Sequence, residues 1–257
     1  RLLAGTWKLL QREEPPGTIV EEYTEGDGPL RLQAPGGLFV ELRQPVGDEK
    51  GEAGEASFAG RCCTVAEGGE VMSQQLRAVD FQPPTGDNSP MQVILGGSSV
   101  EVVGGPRGSE YRELWARIGR ADASESVLLQ LQSEAPEAKL QRVGFWIFCG
   151  RRFARVVGPA RGSGLVGGSC CKSLGQLQRL RGFADIRYEL MEHYEAVSGT
   201  VEEPGLLRIE RMAWHQNRVG TPLYSAADEE TGDIIVGKDT VVVIQPGGKK
   251  ETWRKVE

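Results

Sequence analysis

The amino-acid sequence predicts an all-β protein built from two tandem antiparallel β-barrels with one short helix. One observation is a repeat, because residues 55–118 and 194–257 carry the same ordered features and each stretch closes on a Glu-x-Trp strand. The other is an alternation of apolar and polar residues, which is the period of a half-buried strand. A repeat this long is a duplicated domain, since solenoid units are shorter and occur at least three times. We therefore expect one barrel over residues 1–120 and a second over residues 121–257.

Turns rich in Pro and Gly divide the alternating pattern into short strands. Nine are predicted in the first half: 3–10, 18–23, 30–33, 37–43, 55–65, 71–79, 91–95, 99–103 and 111–118. In the second half the predicted strands are 126–132, 143–149, 152–157, 183–197, 206–214, 221–225, 233–236, 240–244 and 251–256. Short antiparallel strands with short connections hide their edges by closing into a barrel.

The one predicted helix covers residues 173–181. Ser173 can cap its N-terminus, Gly182 can end it, and leucines recur at helical spacing between them. We expect this helix to lie over a barrel mouth or along a barrel wall.

Charge and composition exclude several classes of partner. The net charge is −6, and the 30 Lys and Arg residues are scattered among 36 Asp and Glu. Nucleic acids and anionic membranes are bound by a concentrated positive face, so we expect neither as a partner. No apolar run approaches the ~18–20 residues that span a bilayer. With only two histidines and no cluster at metal-ligand spacing, we expect no metal and no cofactor.

The five cysteines occur as two adjacent pairs, Cys62-Cys63 and Cys170-Cys171, and a single Cys149. Neighbouring side chains on a strand point to opposite faces, which disfavours a bridge within either pair. An odd count without C-x-x-C also fits poorly with a disulfide framework. We expect five free thiols.

No residue constellation predicts catalysis. Glu110 and Glu113 flank Arg112, but alternation places Arg112 opposite Glu113, and we interpret the group as a solvated strand face rather than an acid–base pair. His193 lies in an alternating strand and His215 follows a tryptophan at a turn, so both are expected to be structural. The sequence therefore predicts a protein that is not an enzyme.

The tryptophans have mainly structural interpretations. Trp7 near the first strand can stack on Arg117 near the last one and close the barrel bottom. Trp115 and Trp253 end the two repeats and are expected in equivalent core positions. Candidate ligand-binding residues are Trp146, Arg152 and His215, with core packing the favoured alternative for Trp146. Gly60 and Gly199, both within strands, are expected to mark sharp bends in the barrel wall.

Several segments resemble a known family. Gly5-Thr6-Trp7 resembles the start of lipocalin-like domains. More specific are residues 37–45 (GLFVELRQP), 58–60, 79–84 and 111–115, with looser matches at 144–154 and 173–177. Together they resemble a small family of tandem lipocalin-like proteins of bacteria and fungi, which includes the yeast HRI protein, named as an interactor of a casein kinase. The resemblance implies lipocalin-like barrels, cytoplasmic or nuclear residence and a partner-binding role, and it implies no catalytic residues.

Two function classes follow. The favoured one is a non-catalytic protein-interaction module whose partner is another protein. The alternative is binding of a small hydrophobic or amphipathic ligand in a barrel cavity or in the groove between the barrels. They differ in whether inward positions leave a cavity. The first half offers small residues for the interior (Ala59, Gly60, Ser73 and Ala78) and bulky ones that fill the same space (Phe39, Phe58, Leu76, Val93 and Trp115).

Overall fold

The computed structural model describes residues 2–24, 28–43, 57–80, 90–105, 109–120, 126–133, 142–159, 194–202, 206–212, 219–224, 233–244 and 250–256. These residues form seventeen strands and no helix, so the all-β prediction is confirmed. The predicted helix over 173–181 lies outside the described residues. Within the part of the chain described, no helix is long and apolar enough to cross a bilayer.

The first sheet contains nine antiparallel strands in the order β2-β1-β3-β4-β5-β6-β7-β8-β9. Strand β1 also pairs with β9, which closes the sheet into a barrel. The bounds are β1 Gly5–Glu13, β2 Ile19–Glu22, β3 Leu30–Gln33, β4 Leu38–Leu42, β5 Phe58–Glu67, β6 Glu70–Asp80, β7 Met91–Gly96, β8 Ser99–Gly104 and β9 Tyr111–Arg120.

The second sheet contains eight antiparallel strands in the order β14-β13-β12-β11-β10-β17-β16-β15. The bounds are β10 Ser126–Ser133, β11 Arg142–Cys149, β12 Arg152–Pro159, β13 Glu195–Glu202, β14 Leu206–Met212, β15 Asp233–Val236, β16 Thr240–Ile244 and β17 Lys250–Val256. Among the described residues, β14 and β15 do not pair, whereas their equivalents β6 and β7 do. The first sheet is thus a closed barrel and the second a barrel left open at one seam.

The two sheets repeat one another at the level of single hydrogen bonds. The Cys62 amide donates to the Gly37 carbonyl at 2.7 Å, and at the equivalent place the Val201 amide donates to the Arg151 carbonyl, also at 2.7 Å. The glycine bends are equivalent as well. The pairing register skips one residue of the partner strand beside Gly60 and again beside Gly199.

These skipped residues are β-bulges, and glycine is required in them. A Cβ on Gly60 would lie 2.1 Å from the Leu76 carbonyl oxygen, and one on Gly199 would lie 1.8 Å from the Arg208 carbonyl oxygen. Both distances are far shorter than van der Waals contact. The prediction that these glycines mark bends in the wall is therefore confirmed.

Most predicted strand bounds are close to the observed ones, with two differences. The strand predicted over 183–197 begins, in the described residues, at Glu195 and continues to Glu202. The strand predicted over 221–225 was wrong as a full strand, because the described part of this segment forms a single bridge between Pro222 and Arg208. Its backbone bonds to β14 through Thr221 and Leu223 instead of forming a new ladder.

Each barrel encloses its own apolar core of inward-pointing side chains. Alternate residues of the strands supply them, so that one half of every strand faces the inside. The first core contains Leu3, Trp7, Leu9, Phe39, Phe58, Cys62, Val93, Val100, Val102 and Trp115. The second contains Leu129, Leu131, Trp146, Phe153, Val157, Val197, Leu207, Ile209, Met212, Leu223, Val243 and Trp253.

A third core joins the outer faces of the two barrels, and we call it the shared wall. It is built from the alternate, outward-pointing residues of β3–β6 on one side and mainly of β10–β13 on the other. Its members are Leu30, Leu32, Leu38, Val40, Leu42, Ala59 and Val79, with Leu128, Phe145, Ile147, Cys149, Ala154, Val156, Tyr194 and Ala196. Strands buried on both faces read as nearly continuous apolar runs, which explains the sequence of β11.

Candidate functional site

Each barrel holds a buried carboxylate that is ion-paired with two arginines. In the first barrel this is Glu113, on β9. Its Oε1 lies 2.9 Å from Arg43 Nη2 and 3.5 Å from Arg12 Nη1, and the indole of Trp115 donates to its Oε2 at 3.1 Å. Glu41 joins the cluster by accepting from Arg43 at 2.7 Å. Because Glu113 is only 5% exposed, it needs these partners to remain charged.

In the second barrel the equivalent carboxylate is Glu251, on β17. Arg142 Nη2 lies 2.8 Å from its Oε1, Arg155 Nη2 lies 2.8 Å from its Oε2, and the Trp253 indole donates to Oε2 at 3.2 Å. Arg155 also donates to the Tyr224 hydroxyl. Arg155 and Glu251 are both fully buried. An ion pair at this depth stays charged because each partner neutralises the other.

The repeated element is thus a Glu and a Trp two residues later, bonded to each other on one strand face. Their arginines come from different strands. The first barrel uses β1 and the residue after β4, whereas the second uses β11 and β12. The pairing register places Arg155 where the first barrel has Glu41. The two barrels therefore place the carboxylate of the Glu-x-Trp strand between two arginines that come from different strands in each barrel.

Electrostatics keeps both carboxylates ionised. Burial acts to raise the pKa of Glu113, but the charges of Arg43 and Arg12 outweigh it, so this pKa lies below its ordinary value. Burial acts on Glu251 in the same way, and Arg155 and Arg142 lower its pKa. Neither carboxylate holds a proton near neutral pH that it could donate as a general acid.

The interpretation of Glu113 as part of a solvated strand face is wrong. The alternation itself was assigned correctly, because Arg112 points to the other face, pairs with Glu101 at 3.9 Å and is 45% exposed at its side chain. Glu113 points inward instead, on the same face as Trp115. The signal in the sequence was that spacing, since the face that carries a tryptophan is the face that enters the core.

The stack of Trp7 and Arg117 is present as predicted. The Arg117 guanidinium lies 4.4 Å from the centre of the Trp7 ring, the Trp7 indole donates to the Leu3 carbonyl at 2.8 Å, and Arg117 donates to the Leu2 carbonyl at 3.1 Å. The second barrel has a different pair of residues at the equivalent position. Trp7 pairs with Arg117 across β1 and β9, and the equivalent residues Leu129 and Lys255 pair across β10 and β17.

The structure does not bring the candidate ligand-binding residues together. Trp146 points into the second barrel, is 1% exposed and packs edge-on against Trp253 with ring centres 5.6 Å apart. Arg152 lies on the outer face of the same wall and forms a half-exposed ion pair with Glu210 at 3.0 Å. His215 lies outside the described residues, as do His193 and the Cys170-Cys171 pair.

The described cysteines are unpaired. Cys62 points into the first barrel, where its Sγ lies 2.9 Å from Ser73 Oγ, and the neighbouring Cys63 is exposed on the outer face. Cys149 lies in the shared wall, and burial raises the pKa of its thiol to about 11. Of the residues described, no three His, Cys, Asp or Glu side chains form a group that could hold a metal ion.

Among the described residues, bulky inward side chains are buried in the cores of both barrels, with three corrections to the sequence prediction. Phe39, Phe58, Val93 and Trp115 lie in the first core as expected. Leu76 was predicted to point inward but is 44% exposed on the outer face. Ala59 and Ala78 were predicted to leave space inside, whereas both pack in the shared wall.

Comparison with known proteins found one kind of similarity, to a solved structure. No protein-family model matches the sequence, and no curated protein matches it. Among solved structures, the chain is similar to the uncharacterised protein YLR301w of Saccharomyces cerevisiae, with a TM-score of 0.56 and 15% identity. The similarity covers 98% of this chain and 97% of the yeast one. At this identity the similarity shows the fold alone, which is two barrel-like antiparallel sheets.

Proposed function

We propose that this chain is a non-catalytic protein-interaction module made of two lipocalin-like barrels joined along their shared wall. The observation that supports it is the burial of bulky side chains inside both barrels, among the described residues. Bulky side chains occupy the inward positions, and the charged ones among them neutralise each other around Glu113 and Glu251. A barrel that carries a ligand reserves part of this space. The outer surface is then what remains for recognition.

We also propose membership of the tandem lipocalin-like family that includes the yeast HRI protein, with cytoplasmic or nuclear residence. Support comes from the sequence resemblance and from the end-to-end similarity to an uncharacterised yeast structure. A family member named as an interactor of a casein kinase favours a protein as the partner. Under this proposal the domains are residues 1–120 and 121–257.

A second candidate function is small-ligand binding inside the second barrel. One observation favours it: the buried Nε1–H of Trp146 has no hydrogen-bond acceptor among the residues that the structure describes. A buried donor left unpaired costs about 1–3 kcal/mol, and a bound molecule with an acceptor would remove that cost. The tight packing of Trp146 against Trp253 and Tyr224 opposes this candidate.

Native mass spectrometry separates the two candidates. The intact protein, purified under mild conditions, is weighed before and after denaturation, and the Trp146→Phe variant serves as the matched control. The interaction module predicts no co-purifying small molecule and a partner that reconstitutes at fixed stoichiometry from purified components. A stoichiometric adduct that is lost with denaturation and absent from Trp146→Phe would contradict the proposal and establish ligand binding.

A further inference from the structure

Strand β5 is covered by β4 along only part of its length. The two strands pair from Phe58 to Arg61, and the last bond on this side runs from the Cys62 amide to the Gly37 carbonyl. Beyond that point β5 continues to Glu67 with β6 as its partner in the structure. The backbone groups of alternate residues point to the same side of an antiparallel strand. Those of Thr64 and Ala66 therefore face an edge that no described strand covers.

In the second barrel, the described part of the equivalent strand β13 reaches Glu202, one residue after the equivalent bond from the Val201 amide to the Arg151 carbonyl. Exposed strand edges are commonly protected by lysine, proline or short length. None of these protects the stretch from Cys63 to Ala66.

An apolar strip accompanies the open edge on the outer face. Val65 is 58% exposed and lies opposite Met72, and Leu76 is 44% exposed. On the same face, Ala59 and Val79 are buried in the shared wall. The strip therefore extends the shared wall along the outer face of β5 and β6, and no described residue covers this extension.

We propose that this edge binds an extended segment of a partner protein, which adds an antiparallel or parallel strand beside Cys63 to Ala66. The inference rests on the proposed function as an interaction module and names its surface. Main-chain hydrogen bonds would supply the affinity for the segment, and contacts to its alternate side chains would supply the specificity. Cys63 and Val65 share one face, so the segment carries a small and an aliphatic residue at alternate positions beside them. Arg61 lies on the same face and is exposed, but its backbone pairs with Leu38 of β4, so its side chain meets the end of the segment next to Cys63, where we expect an acidic residue.

A second copy of this chain fits the edge less well. Each copy carries a net charge of −6, and two copies would repel one another. The four-residue edge is also short, whereas a stable interface between folded proteins buries at least about 1,200 Å². A peptide segment needs less area because it is held mainly through its backbone.

Peptide binding to the intact protein tests the proposal. The probes are fluorescein-labelled Thr-Glu-Thr-Ala-Thr-Val-Thr and the same peptide in reverse order, measured by fluorescence anisotropy. Val65→Lys should weaken binding of the tighter-binding peptide at least about tenfold. It removes the apolar contact, and a lysine on an edge strand disfavours pairing with another strand. Ile235→Lys is the matched control, since Ile235 is 57% exposed on β15, and it should leave binding unchanged. Arg61→Glu should lose binding and regain it when the peptide carries Lys in place of Glu.

Hydrogen exchange gives a second readout on the same samples. The bound peptide should slow exchange at the Thr64 and Ala66 amides, which face the edge. No binding of either peptide at millimolar concentration, or equal losses in Val65→Lys and Ile235→Lys, would overturn the inference. A reconstituted partner protein that binds wild type and Val65→Lys equally would also overturn it while leaving the proposed function intact. Failure to find any reconstituting partner would instead count against the proposed function.

Discussion

The hydroxyl group of Tyr194 donates a hydrogen bond to the backbone carbonyl of Ser57, and so joins the two sheets. Each residue immediately precedes a strand, and these strands, β13 and β5, are equivalent in the repeat. A second bond across the boundary runs from Arg211 Nη1 to the Gly28 carbonyl at 2.6 Å. Together with the shared wall, these bonds connect the two barrels.

Removing the Tyr194 hydroxyl should destabilise the whole chain. In Tyr194→Phe the buried Ser57 carbonyl loses its donor, which we expect to lower the free energy of unfolding by about 1–3 kcal/mol. Urea unfolding measures the change. Tyr111→Phe is the control, because that hydroxyl donates to the Met91 sulfur at 3.3 Å, which is a weak acceptor, and its loss should cost less than about 0.5 kcal/mol. Equal effects in the two variants would contradict a role for the bond between the barrels.

The two buried carboxylates should be of similar importance. Glu113→Gln removes one counter-charge from the largely buried Arg43, and Glu251→Gln removes one from the buried Arg155, so each should cost about 3–5 kcal/mol of unfolding free energy. The matched control is Glu101→Gln, since Glu101 forms an exposed ion pair with Arg112 that should contribute less than about 1 kcal/mol. Chemical denaturation of the three variants checks this. A loss near the control value for either buried variant would show that its cluster is not held by charge pairing.

Acid should weaken the fold through the same two groups. Glu113 and Glu251 have lower pKa values in the folded than in the unfolded protein, where the ordinary value is 4.5. Their stabilisation is therefore complete above that value and is lost as the pH falls below it through the folded-state pKa values. Melting temperatures between pH 7 and pH 3 should show this fall. The slope of melting temperature against pH should be smaller in Glu251→Gln than in wild type. An unchanged slope would contradict the conclusion that Glu251 has a lowered pKa in the folded protein.

The bulge glycines should not tolerate a methyl group. Gly60→Ala and Gly199→Ala would each press a Cβ into a backbone carbonyl, at 2.1 and 1.8 Å, and we expect a loss of about 1–3 kcal/mol or failure to fold. Gly119→Ala is the control, because its Cβ would lie 3.4 Å from the Thr6 hydroxyl oxygen, an ordinary contact. Thermal unfolding compares the three. A fully stable Gly60→Ala would mean that the strands can bend there without glycine.

Much of the fold could be predicted because alternation and turns are local signals. The strands at 30–33, 233–236 and 240–244 match the observed bounds, and the Glu-x-Trp repeat identified the equivalent strands β9 and β17. The boundary between domains at residues 120 and 121 stays a prediction, as does the helix over 173–181, and all three candidate ligand residues stay untested as binders.

The positions of most strands could be predicted from the sequence, but the direction in which each face of a strand points could not. Alternation states which residues share a face, but not which face enters a core, and so Glu113 was assigned to solvent. The shared wall adds a further difficulty, because it buries the outer faces of β3 and β4 and removes the contrast between inside and outside. Leu76 was misplaced for the opposite reason, since it is an apolar residue on a face left exposed beyond the wall.

The central claim is that the shared wall makes the two barrels unfold as one unit. Hydrogen exchange with mass spectrometry, carried out on the full chain at increasing urea concentration, tests this most directly. Peptides from β4 and from β11, one on each side of the wall, report the two barrels separately. We predict that both lose protection at the same urea concentration, because apolar surface buried between them contributes roughly 25 cal/mol per Å². Two well-separated transitions would contradict the account.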